Sequence, residues 1–469
     1  MLTDPLFWLV DLCIFVSLWL LGILAERVLL PNSCLPEQVS LGYGLGIGLF
    51  TWLLFLISWA GVPLSSLIVF SVFILLFLGL LVGLRLTHQK SPPKSNLQLE
   101  TKSDIHKVSD IVGWTLFIMF GLTLFIVSIG LAYAMWDAMA IWSVKGYGIG
   151  MEQTIFAAEH WGAKGIAYPL NIPLAISLFF RADQDLLPGS KLLFPGFYIS
   201  MLIGLRVLFS KRRLPAWLAW CAVFAIGTIP LLMQYSLVGY ANVPFTYYYA
   251  IGIIWLCLGL ADDDPRRILV GALLLTLSIW TRLEGLEFWF IAIISLTIMW
   301  WKKLFARRTI FWILSPALVI GGSWVLFGRL NHATTSETVL LLDALSRLFH
   351  GEFTPMAVYQ ILRFTAYLVF KTRVYGMLAP VAIGFAFIAT AFNSQVRKDK
   401  FSMAILITGI LTGLGVIFMY YLTSYDQSTS LLSWLGTGYD RMLFGAIVLL
   451  MVASTLILWQ ALAPRRKPA

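Results

Sequence analysis

Asp137 is the carboxylate best placed for chemistry in this chain. It stands in AMWDAMAIWSVKGYGIGMEQ, directly after an apolar run and between Trp136 and Trp142. Tryptophan favours the membrane–water boundary. A carboxylate held there, half out of water, can take the proton of an acceptor hydroxyl as a general base. A solvated aspartate that ends a helix fits the same placement. Glu152, Glu159 and His160 follow in the same segment. Carboxylates with a histidine could bind a divalent metal or orient an acceptor, although the spacing matches no metal motif. Solvated loop charges are the other account of them.

Several cations join these groups. SIWTRLEGLEF puts Arg282 and Glu284 at a turn between two apolar runs, and GTGYDRML brings Asp440 and Arg441 to the start of the last run. Lys145, Lys371 and Arg373 lie in the same class of segment. An arginine at the edge of a membrane needs an anion nearby. For Arg282 that is Glu284 or a phosphate; for Arg441 it is Asp440, with snorkelling, or a phosphate. Several such cations on one face point to a site for an anionic headgroup such as a lipid phosphate. Asn242, in QYSLVGYANVPF, sits between two further runs. In AYPLNIP, Pro169 and Pro173 set the direction of the chain where it turns back toward the membrane.

The elements that must position these residues are membrane helices. Hydrophobic residues make up 59% of the 469-residue chain and charged residues 12%, with a mean hydropathy of +0.86. Runs of about 20 apolar residues, enough to cross ~30 Å of hydrocarbon, recur throughout. The expected fold is an all-α polytopic membrane protein with 13 spans, at 7–30, 40–60, 64–86, 110–134, 189–210, 214–233, 243–261, 267–281, 286–301, 309–328, 374–392, 402–421 and 442–462. Residues 7–30 read as a retained helix rather than a cleaved signal. Basic clusters at Lys211-Arg212-Arg213, Arg266-Arg267, Lys302-Lys303 with Arg307-Arg308, Arg397-Lys398 with Lys400, and Arg465-Arg466-Lys467 punctuate the helix ends. These spans place all of them in the cytoplasm with an odd number of crossings, the N-terminus outside and the C-terminus inside. The outer segments are then 135–188, 329–373 and 422–441, with a short one at 234–242. Two apolar stretches, Tyr168–Phe180 and Met356–Phe370, are short and read as helices along the outer interface or dipping part-way in. The Ser/Pro/Lys-rich linker 87–109 divides three leading helices (1–86) from a core of 110–469. The net charge of +10 punctuates helices rather than lining a groove, so no nucleic-acid partner is expected. The four scattered cysteines form no disulfide framework or zinc pattern.

In this order, WDAMAIW, YPLNIPL, GYANVPF and TRLEG resemble segments of the polyprenyl-phosphate-dependent GT-C glycosyltransferases. These include protein O-mannosyltransferases and the aminoarabinose transferase that modifies lipid A. GTGYDRML is similar to the entry to the last helix in some bacterial members. The likeness covers roughly 110–460 and implies a GT-C-like fold in a bacterial plasma membrane. It implies an inverting transferase that moves a sugar from a polyprenyl-phosphate donor to an acceptor hydroxyl on the extracytoplasmic face. Asp137 matches the place of the catalytic base. Arg282 matches a basic residue near the donor phosphate, with Arg441, Lys145 and Arg373 as further phosphate candidates. Asn242 stands where the family often has an aspartate, and Ala138 where many members have a second acid, so dependence on a divalent metal stays open. Two other readings remain: a transporter or lipid flippase, which should carry mid-span charges and broken helices, and a polymerase or ligase of the O-antigen type using lipid pyrophosphate donors.

Overall fold

The computed structural model describes residues 5–88, 104–131, 133, 135–180, 188–333, 336–425 and 430–462. Most of the 87–109 linker and the Arg465-Arg466-Lys467 cluster lie outside the described residues. Among the described residues the regular elements are all helices. Ten of them are long and apolar enough to cross a membrane. Their outward faces carry Leu67, Phe70, Leu75, Ile126, Leu318 and many similar exposed side chains. Apolar surface on that scale belongs in hydrocarbon rather than water. The protein is therefore an all-α polytopic membrane protein.

Three of the thirteen expected spans depart from a single long helix. The 214–233 segment is two helices, Ala216–Gly227 and Pro230–Leu237, bent by 67°. Pro230 starts the second helix, where its missing N–H costs nothing, and ends the first for the same reason. The 267–281 segment is a helix of 17 residues, Pro265–Thr281, and 374–392 contains one of 15, Leu378–Phe392. Of the two stretches kept out of the spans, Pro355–Phe370 is a surface helix with Met356, Tyr359, Leu362 and Phe370 turned outward. The other, Asn171–Ser177, is short and buried between neighbouring helices, so it dips inward rather than lying on the surface.

Small residues let the helices close on one another. A Cβ at Gly22 would stand 1.7 Å from the Gly42 carbonyl oxygen, and one at Gly271 would stand 2.3 Å from the Leu256 amide nitrogen. Such backbone contact is how membrane helices gain packing without a hydrophobic driving force. Buried tyrosines satisfy themselves on backbone carbonyls. The Tyr43 hydroxyl donates to Leu193 at 2.8 Å, that of Tyr247 to Ser40 at 2.7 Å and that of Tyr248 to Gly44 at 2.8 Å. These bonds sew the leading helix Leu35–Trp59 to the helices Leu193–Lys211 and Asn242–Asp262. The division at the linker is thus one of sequence; in space the second helix runs through the core.

The ionic groups sort to two opposite ends. At one end, Lys211 pairs with Glu37 at 2.9 Å, Arg212 with Asp399 at 3.1 Å and Lys303 with Asp263 at 2.8 Å. These are the lysine- and arginine-rich turns. At the other end lie Asp137, Arg282, Glu284 and Arg441.

Candidate functional site

Asp137 follows the helix Asp104–Gly130 and stands in helical backbone just before a π-helical turn, Ala138–Ser143, with its carboxylate making no capping bond. Such turns widen the backbone locally and are frequent at functional sites. Trp136 is exposed, as a boundary residue should be, whereas Trp142 is buried against Tyr168 and packs the turn instead of anchoring it in the interface. The Asp137 carboxylate meets Arg441, with Oδ2 2.6 Å from Nη2 and side-chain exposures of 16% and 12%. Arg441 therefore passes over its neighbour Asp440, whose Oδ1 accepts from the Arg441 backbone amide at 2.7 Å. The guanidinium lies over the Tyr240 ring, 4.8 Å from its centroid, beside Tyr235. Burial works against the Arg441 charge, but Asp137 outweighs it and holds the group above its ordinary value. Burial pushes the Asp440 carboxyl up, against the pull of Arg441 and Lys371.

Arg282 is satisfied within the protein. It follows the helix Pro265–Thr281 in extended backbone and is 5% exposed. Its Nε and Nη2 donate to the two Glu284 oxygens at 3.1 and 2.9 Å, and its Nη1 donates to Asn242 Oδ1 at 2.8 Å. Nη2 also reaches Met442 Sδ at 3.8 Å. The fork pairing outweighs burial for both partners, raising Arg282 and lowering Glu284. Asn242 thus serves as an acceptor for Arg282. Below this pair a buried polar chain links the helix Pro265–Thr281 to two more, Leu35–Trp59 and Asn171–Ser177. Asn171 Nδ2 donates to Thr281 Oγ1 at 2.8 Å, Thr51 donates to Asn171 at 2.8 Å and Trp280 donates to Thr51 at 3.2 Å.

The remaining candidates divide. Lys145 is buried in the outer segment, its Nζ donating to the Gly165 carbonyl at 2.6 Å and lying over Tyr168. Burial lowers its pKa from 10.5 to about 7, against the pull of Glu159. In the unfolded chain the amine binds its proton up to the higher value. Stability should therefore rise with pH between about 7 and 10.5 and be flat on this account outside that window. Replacing Lys145 with Met is expected to flatten this rise, read as melting temperature against pH; an unchanged slope would show the amine charged in the fold. Glu152 accepts from Trp161 Nε1 at 2.6 Å and pairs with His160 Nε2 at 2.7 Å on the exposed surface, and these bonds lower its pKa. Glu159 accepts from the Ile166 amide at 3.3 Å. These bonds tie the outer segment to itself rather than to Asp137. Among the described residues no three His, Cys, Asp or Glu side chains converge on a metal position. Arg373 is exposed, two residues before Tyr375, whose hydroxyl donates to the Asp440 carbonyl.

The structure adds groups that the sequence reading passed over. Tyr235 and Tyr240 face each other at 4.8 Å and line Arg441, and Tyr420 lies beside it. The sequence carries a signal for them: Tyr235 and Tyr240 both lie in QYSLVGYANVPF with Asn242. Gly438 is the other such residue. A Cβ there would stand 3.1 Å from Arg441 Nε and Nη2, so the guanidinium folds back onto bare backbone. Chemically, the arrangement offers a partly exposed carboxylate, a guanidinium able to meet an anion, and aromatic faces between them. No protein-family model, no curated protein and no solved structure matches the chain.

Proposed function

We propose that the protein is a membrane glycosyltransferase that moves a sugar from a polyprenyl-phosphate carrier to an acceptor hydroxyl on the extracytoplasmic face. The observation that carries this reading is the meeting of Asp137 and Arg441 at the end of the bundle opposite the basic turns. By the positive-inside rule those turns face the cytoplasm. A transporter would want its charges near mid-span, whereas these sit at helix ends.

The chemistry needs few groups. The acceptor oxygen attacks the anomeric carbon and its proton passes to Asp137. The bond from the anomeric carbon to the phosphate oxygen breaks, and its electron pair leaves on the phosphate, which Arg441 neutralises. Polyprenyl phosphate departs, and Asp137 returns its proton to water. A phosphate leaves readily, so the paired carboxylates of a hydrolase are not required. Tyr235 and Tyr240 supply faces for the sugar ring. An apolar groove of about 830 Å³, lined by Val112, Gly113, Leu116, Trp220 and Phe224, flanks the helix that leads to Asp137 and offers surface for a carrier chain. The reading implies a GT-C-like arrangement surrounded by membrane lipids.

The test is a screen of purified protein against radiolabelled polyprenyl-phosphate sugars in the presence of a hydroxyl-bearing acceptor extract. Release of free polyprenyl phosphate, with label on the acceptor, is expected. A transporter would move the lipid without releasing any. Turnover only of pyrophosphate-linked donors would favour a polymerase or ligase.

A further inference from the structure

The two arginines at the site differ in what they have left to give. A guanidinium carries five N–H donors. Arg282 commits four of them, three to Glu284 and Asn242 and one to the Met442 sulfur, and it is almost fully buried. Arg441 has one ionic contact, to Asp137. Its other neighbours are the neutral phenols of Tyr235, Tyr240 and Tyr420 and the bare backbone of Gly438. Neutral phenols and a ring face hold a guanidinium more weakly than an anion does, so they leave it able to turn to a phosphate.

From this we infer that Arg441 is a shared guanidinium: it holds Asp137 as an ion pair in the free protein, and the phosphate of an arriving lipid-phosphate sugar draws it away. The inference rests on the proposed roles of Asp137 and Arg441. While the guanidinium sits 2.6 Å from Asp137 Oδ2, that oxygen is taken and not open to an acceptor hydroxyl. A phosphate monoanion or dianion competes for the same planar fork. Asp137 is then released only where a donor is present, and binding is ordered, donor before acceptor. The bonds made and broken stay those of the transfer above.

Competition for one guanidinium makes the two partners thermodynamically linked. The experiment measures the Kd of polyprenyl phosphate, which carries no sugar and cannot turn over. The proteins are the wild type, Asp137→Asn, Arg441→Gln and the double variant, all in lipid nanodiscs. Asp137→Asn should tighten binding about tenfold, and this gain should vanish in the Arg441→Gln background. Simple repulsion between Asp137 and phosphate would tighten binding equally in both backgrounds, and that result would overturn the inference. So would an Asp137→Asn protein that binds no tighter than wild type. If Arg441→Gln does not fold, Arg441→Lys takes its place; a lysine lacks the fork, so the gain should shrink severalfold, and an undiminished gain counts against the proposal. Turnover of a donor without this coupling defeats the inference alone. Coupled binding with no release of polyprenyl phosphate from any donor defeats the glycosyltransferase reading. Absence of binding in all four proteins defeats both.

Discussion

Asp137→Asn is expected to lower sugar transfer by about 10²–10⁴-fold, the span that a general base contributes. The amide keeps the size and much of the shape of the carboxylate but cannot accept a proton from a hydroxyl at neutral pH. The variant should fold, because the π-helical turn that follows is held by its own backbone and by buried Ala138, Ile141 and Trp142 rather than by the carboxylate. Single-turnover measurement with a saturating donor separates the chemical step from binding. A purified variant that transfers at the wild-type rate would remove Asp137 from the chemistry. The expected pattern is a fall in kcat with donor affinity kept or tightened, since the base acts on the acceptor and the amide no longer competes for Arg441.

Arg282→Ala should act in the opposite way, through stability. The pair with Glu284 lies at the foot of two helices, with side-chain exposures of 6% and 20%. Removing the arginine leaves a carboxylate in a poorly hydrated place and frees Asn242, so a loss of about 3 kcal/mol is expected. Unfolding in mixed micelles measures it. Glu284→Gln should cost less, since the amide still accepts one of the two bonds. The contrast with Arg441 is the informative part. Arg441 makes one ionic contact, to which a glutamine amide can still donate, so Arg441→Gln should lose phosphate affinity and less stability than Arg282→Ala. An Arg282→Ala protein of normal stability that no longer binds polyprenyl phosphate would make Arg282 the phosphate ligand instead.

The assignment of these roles shows where sequence ends. Both arginines read alike in the chain: each stands next to an acid, at the mouth of an apolar run. In Arg282 the near acid, Glu284, is the partner. In Arg441 the near acid, Asp440, turns to a backbone amide and the partner comes from the other end of the core. Spacing of one or two residues sets which acids are nearby, but side-chain direction depends on where the helix starts and what it packs against. The same holds for Trp142, whose type suggested the interface and whose place on the turn buried it. Glu152 and His160, which could have bound a metal, oriented an acceptor or stood as solvated loop charges, meet each other across a short loop.

What the chain determined by itself is its solvent and its polarity. Apolar runs of membrane length can only be helices, because an unpaired backbone in hydrocarbon is too costly, and the basic turns sort those helices by end. Hence the helical class, most of the long helices and the common end for Asp137, Arg282 and Arg441 were legible, whereas the outer helices Ser336–Phe349 and Leu431–Met442 were not. Tertiary structure alone decided which helices touch. Lipid and helix surface are nearly equal in hydrophobicity, so pairing rests on glycine contacts and buried hydroxyls that have no periodic trace. That packing brings the leading helix Leu35–Trp59 into the core, and it joins the first outer segment to the last, setting a carboxylate against a guanidinium.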